Sequence, residues 1–136
     1  MEQPIAKFSL QGIQIKQSTF RQSEAYGEDF KFDVEANGIA SSANRTFQLH
    51  LHIRAYDNND RFEARVHQVG NFVFDQDITE EALTNYFIFN APALLFPFVR
   101  SYIATLTALS GYDTILLPAL NLQGLGNMLR ENISYE

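Results

Sequence analysis

The side chains of this sequence best suited to chemistry are three imidazoles, His50, His52 and His67. An H-x-H pair on a strand places two imidazoles on one face, and a third from the returning strand would complete a ligand set of the kind that holds zinc. Arg54 and Arg65 are close in sequence, and a cation beside a divalent metal is unfavourable. No carboxylate cluster is at hand to orient the rings, as ligating histidines require. The expectation is a solvated strand face with no metal. Asp29, Asp33 and Glu35 also sit at polar strand positions, where they serve solubility. There is no G-x-S-x-G, no P-loop and no G-x-G-x-x-G; Gly124-Leu125-Gly126 is a bare Gly-x-Gly. Cysteine is absent, which removes thiol nucleophiles, thiolate metal sites and disulfides. No enzyme and no cofactor are expected.

Composition narrows the partners. A chain of 136 residues is one domain by length, taken as 1–136. The net charge of -6 argues against nucleic acid, which demands a basic face. Met1-Glu2-Gln3-Pro4 does not open a signal peptide. The longest apolar stretch is broken by Pro92, Pro97 and Arg100, so membrane insertion is not expected and the compartment is read as the cytoplasm.

The elements that must position these residues are legible from period. Phe8 and Leu10 alternate with polar residues, and after Gly12 the phase switches to Ile13 and Ile15, the signature of a bulge. Phe30, Phe32, Val34 and Ala36 alternate with Lys31, Asp33 and Glu35. Phe47, Leu49, Leu51, Ile53 and Ala55 alternate with Gln48, His50, His52 and Arg54, and Phe62, Ala64 and Val66 follow the same rule. Period two through these segments predicts strands over about residues 5–74, with one buried and one wet face. A two-residue turn at Asn58-Asn59 would set Arg54 opposite Glu63, His52 opposite Arg65 and His50 opposite His67. Thr79 then caps a helix expected to stop near Asn90, ahead of Pro92. A longer helix follows to Ser110-Gly111, and Leu125 to Arg130 forms a short last one. Helices and an apolar crossover loop thus occupy about residues 79–130. The fold class is α+β, a four-stranded antiparallel sheet with helices on one face.

Residues 112 to 122 are unusual for a loop. Tyr112, Ile115, Leu116, Leu117, Leu120 and Leu122 are apolar where connections are ordinarily polar. They either tuck inward as core cover or line a binding surface.

The stretch Asn90-Ala91-Pro92-Ala93-Leu94-Leu95-Phe96-Pro97-Phe98-Val99-Arg100 resembles the most recognisable motif of the SecB family of export chaperones. Pro118-Ala119-Leu120-Asn121-Leu122 and Val69-Gly70-Asn71-Phe72-Val73-Phe74 are similar to two further segments of that family. The resemblance implies an ATP-independent holdase for unfolded polypeptides bound for export, assembled as a homotetramer, a dimer of dimers. By position it implies client contacts at Phe30, Phe32, Val34, Phe98, Tyr102, Tyr112, Leu116, Leu117, Leu120 and Leu122.

The pattern departs from the family on the outer sheet face. Where export members present acids to the tail of the SecA motor, this sequence has Gln17, Arg21, Glu63 and Arg65. Docking to SecA is therefore expected to be weak or absent. The alternative function is a module dedicated to a single partner, such as the antitoxin of a toxin–antitoxin system.

Overall fold

The computed structural model describes residues 6–23 and 30–136; Asp29 and the N-terminal Met1 to Pro4 segment lie outside them. Strands β1 (Phe8–Gln22), β2 (Lys31–Ser41), β3 (Thr46–Tyr56) and β4 (Phe62–Phe74) precede a helical run of α1 (Glu80–Asn85), a π turn (Tyr86–Asn90) and α2 (Ala91–Leu109). Helix α3 (Leu122–Arg130) and strand β5 (Ile133–Tyr135) close the chain. The sheet order is β1-β4-β3-β2-β5. The four long strands are antiparallel, and β5 lies parallel to β2 at Gly38–Ala40. The sheet thus has five strands rather than four, because three residues are too few for an alternating pattern to show.

The phase switch in β1 is a bulge, with register breaks at Leu10/Gly12 and again at Ile15/Gln17. The turn between β3 and β4 is wider than two residues, so the pairing is Tyr56 with Glu63, Arg54 with Arg65 and His52 with His67. Asp57 accounts for this. Its carboxylate accepts the backbone N–H of Arg61 at 2.8 Å and of Phe62 at 3.3 Å, and Asp60 adopts φ 57° to close the loop. Burial opposes the Asp57 charge, but these N–H groups and the Arg61 guanidinium outweigh it and hold the carboxyl below its ordinary range. The shift of two residues leaves every side chain on its expected face.

Thr79 caps the helix as its sequence suggests, accepting from the Ala82 N–H at 3.2 Å. The expected break near Asn90 does not occur. The chain stays helical for 30 residues, Glu80–Leu109. Pro92 cannot donate a backbone hydrogen bond, and the preceding turn widens so that Ala91 N–H bonds to the Tyr86 carbonyl. Helix α3 begins at Leu122, earlier than expected, because the Asn121 side chain accepts from the Gly124 N–H at 3.1 Å.

One face of the sheet carries the core. Phe8, Phe47, Phe72 and Phe87 stack under the π turn, with Phe47 and Phe87 centroids 4.0 Å apart. Ile53, Phe62, Ala64 and Val66 pack against Phe96, Val99 and Ile103 of α2. Gly70 lets α2 approach, since a Cβ there would lie 2.9 Å from Leu95. Gln68 also points inward, between its partners Ile15 and Leu51, and neither amide atom has a hydrogen-bond partner among the described residues.

A buried amide without partners costs its desolvation, about 1–3 kcal/mol. Gln68→Leu, close in volume, should raise the free energy of unfolding by roughly that amount in urea titrations. A less stable variant would show that the amide is needed.

Candidate functional site

Helix α2 is apolar around most of its circumference, so its two faces have different fates. Ala91, Pro92, Leu95, Phe96, Val99, Ile103 and Thr107 form the buried stripe against the sheet. At 100° per residue, Leu94, Phe98 and Ser101 fall on the opposite side. Phe98 is 50% exposed, and Leu94 is also exposed. Tyr102 lies one turn beyond Phe98 on the flank nearer β1, where its hydroxyl bonds to Ser18 Oγ at 2.8 Å.

Residues 112–121 run back along the other flank of α2. The Ile115 N–H donates to Thr107 Oγ1 at 3.0 Å, and Arg100 Nε donates to the Leu117 carbonyl at 2.7 Å. Pinned at both points, the extended segment alternates. Ile115 and Leu117 are buried, while Leu116 between them is 58% exposed. Leu116 and Ala119 face Phe96, Pro97, Arg100 and Ala104 across a cleft of about 290 Å3. The Tyr112 ring lies 5.7 Å from that of Phe20, and its hydroxyl reaches the Gln22 carbonyl at 3.4 Å.

The residues expected to form one groove are thus distributed. Phe30, Phe32, Val34 and Leu120 are half-buried along the edge of the cluster that contains Ile115 and Leu117. Phe98 and Tyr102 belong to the far flank of the helix, Tyr112 to the end of β1, and Leu122 to the start of α3. Leu117, expected to contact clients, instead has no exposed surface: its side chain packs in the core while Arg100 holds its carbonyl. Exposed Leu94, Phe89, Leu109 and Met128 escaped the sequence reading. A helical projection through one uninterrupted helix would have found Leu94.

The opposite face of the sheet is polar. Gln17 pairs with His67 and Arg21 with Glu63. Glu63 accepts Arg54 Nε and Arg65 Nε, each at 2.9 Å, and those guanidiniums, Arg65 foremost, hold its carboxyl below the usual range. Arg54 also stacks over Tyr56 at 4.0 Å, and Arg21 is bound by the Asp60 carboxylate. Beside this patch the three histidines meet. His50 Nδ1 lies 2.9 Å from His67 Nε2, and the rings of His52 and His67 stack with centroids 4.1 Å apart. Burial first, and then the neighbouring imidazoles and Lys16, push His50 and His67 below the ordinary imidazole range.

Residues 3–131 match the family model described as "Preprotein translocase subunit SecB". A protein-export protein SecB of Rhodospirillum centenum is 29% identical over 122 residues, 88% of this chain and 71% of the relative. One from Anaplasma phagocytophilum is 32% identical over 63 residues, 46% of this chain and 40% of that protein. The fold matches a SecB-like chaperone of Mycobacterium tuberculosis, solved in complex with a peptide from an antitoxin, with a TM-score of 0.70. That likeness is at 20% identity and covers 85% of this chain and 88% of the other.

The alternation at Leu116 and Leu117 predicts opposite outcomes for neighbouring truncations. Leu117→Ala should cost about 2–5 kcal/mol of stability by opening a cavity. Leu116→Ala should change it by less than about 0.5 kcal/mol. Thermal and urea unfolding of both variants check this, and equal losses would contradict the assignment.

Proposed function

The chain belongs to the SecB family, and from that premise we propose that it is an ATP-independent holdase that keeps unfolded polypeptides competent for export. The carrying observation is apolar surface that the fold leaves half-covered: the Phe32, Val34 and Leu120 edge, the Leu116 cleft and the Phe98 flank. A holdase needs no reacting group, and the sequence offers no catalytic motif. Burial of client side chains contributes about 25 cal/mol per Å2, an interaction that salt does not screen. Leu117 acts behind this surface as support, and Tyr112 and Leu122 extend it at either end.

Residues 1–136 act as one domain in the cytoplasm. Exposed Leu94, Phe98 and Leu109 favour self-assembly over a monomer, and the family resemblance makes a homotetramer the first reading and a dimer the second. SecA docking is weak or absent, because Glu63 is shared by two guanidiniums and Arg21 and Arg65 stand where acids would be needed. The same basic positions favour the second reading, a module dedicated to one partner such as an antitoxin. Pull-down from the native host separates the two: many unrelated polypeptides support the holdase, one stoichiometric partner the dedicated module.

Purified protein at stoichiometric amounts should suppress aggregation of a chemically denatured substrate, followed by light scattering. Leu116→Asp with Phe98→Asp, both exposed positions, should lose most of that suppression while remaining folded. No suppression by the unaltered protein at several-fold excess would remove the chaperone reading.

Titration of the SecA tail peptide should give no binding at micromolar concentration. Arg21→Glu with Arg65→Glu should restore it. Tight binding to the unaltered protein would overturn the docking prediction.

A further inference from the structure

We propose that His50, His52 and His67 form a site for one divalent cation of the zinc class on the outer face of the sheet. Their ligating nitrogens all lie within 4.8 Å of one another, and these are the only three histidines of the chain. Tetrahedral zinc with bonds near 2.0–2.1 Å holds its nitrogen ligands about 3.4 Å apart. His50 Nδ1 and His67 Nε2 are already at 2.9 Å and need only widen slightly, and His52 follows by side-chain rotation.

The tautomers are arranged for this. Gln48 Nε2 donates to Asn71 Oδ1 at 3.0 Å, which turns the Gln48 carbonyl oxygen toward His50. His50 Nε2–H donates to that oxygen at 2.9 Å, so the His50 lone pair is on Nδ1 and points at His67. Gln48 therefore supplies the orienting partner that a ligating histidine uses, a role the sequence offered no carboxylate to fill. His67 Nε2–H now bridges to His50 Nδ1. Cation binding replaces that bridge, and the His67 proton moves to Nδ1 through solvent, with no net change in protonation.

The charges nearby permit the ion. Arg54 and Arg65, the evident objection, are both engaged by Glu63. Glu35 is the cross-strand partner of His52 and lines the same concavity of about 370 Å3 as His52 and His67. Lys16 opposes binding, and its long side chain is exposed and free to swing away. Three protein ligands leave a fourth position open to water or to a donor group of a partner.

The test uses untagged protein and Zn2+ alone, by calorimetry and by histidine ring resonances. One equivalent per chain should bind with micromolar affinity, and the resonances of all three rings should move together. Gln48→Leu should weaken binding roughly 10-fold, within the range seen when an orienting partner of a ligating histidine is lost, and His67→Gln, which removes a ligand, should weaken it more. Ring resonances of the unaltered protein that ignore one equivalent of Zn2+ would overturn the site. So would unchanged affinity in His67→Gln.

Discussion

The structure depends on a mismatch between the width of its sheet and the width of its covering helix. Four strands about 4.8 Å apart make an apolar surface roughly 19 Å wide, and one helix with its side chains covers about 10 Å of it. Helix α2 seals the β1 and β4 side, and α3 packs against β2. The strip between them falls to residues 112–121, an extended segment that can turn only alternate side chains inward. Ile115 and Leu117 fill the gap, while Leu116 faces outward as a consequence of backbone geometry. A surface suited to unfolded chains is thus a by-product of how the core is closed.

The helix meets that demand by remaining continuous. A break at Asn90 would uncouple Phe87 and Ile88 from the buried stripe of α2. The π turn at Tyr86–Asn90 absorbs the missing Pro92 donor instead and carries Phe87 and Ile88 onto the sheet. Gly126 belongs to the same device. A Cβ there would meet the Phe89 ring and the Ile88 carbonyl at 3.1 and 3.2 Å, so glycine allows α3 to dock on the widened turn. Arg100 then ties α2 to the Leu117 carbonyl, joining helix and crossover segment into one unit.

The outer face follows different physics. Several of its charges are paired, with Glu63 between Arg54 and Arg65 and Asp60 against Arg21. Paired charges on an exposed face add little stability and offer little net field to a charged partner. The two faces are therefore divided by function: apolar and half-covered within, polar without.

Much of this was written in the sequence. Period-two alternation determined the long strands and their buried faces, since side-chain direction in a strand is a local property. Thr79 determined where the helix begins, and the run from Asn90 to Arg100 carried the family. The sequence could not determine quantities set by contacts between distant segments. The β3–β4 register followed from the Asp57 carboxylate gripping Arg61 and Phe62, and that grip, not the alternation, set His52 across from His67. β5 exists because the β2 edge offers its backbone to residues 133–135. Pro92, a helix breaker by local rules, was overridden by the burial of Phe87 and Leu95 on either side of it. Leu116 and Leu117 are chemically identical, and one is exposed and the other buried solely because Arg100 and Thr107 hold the loop in one phase.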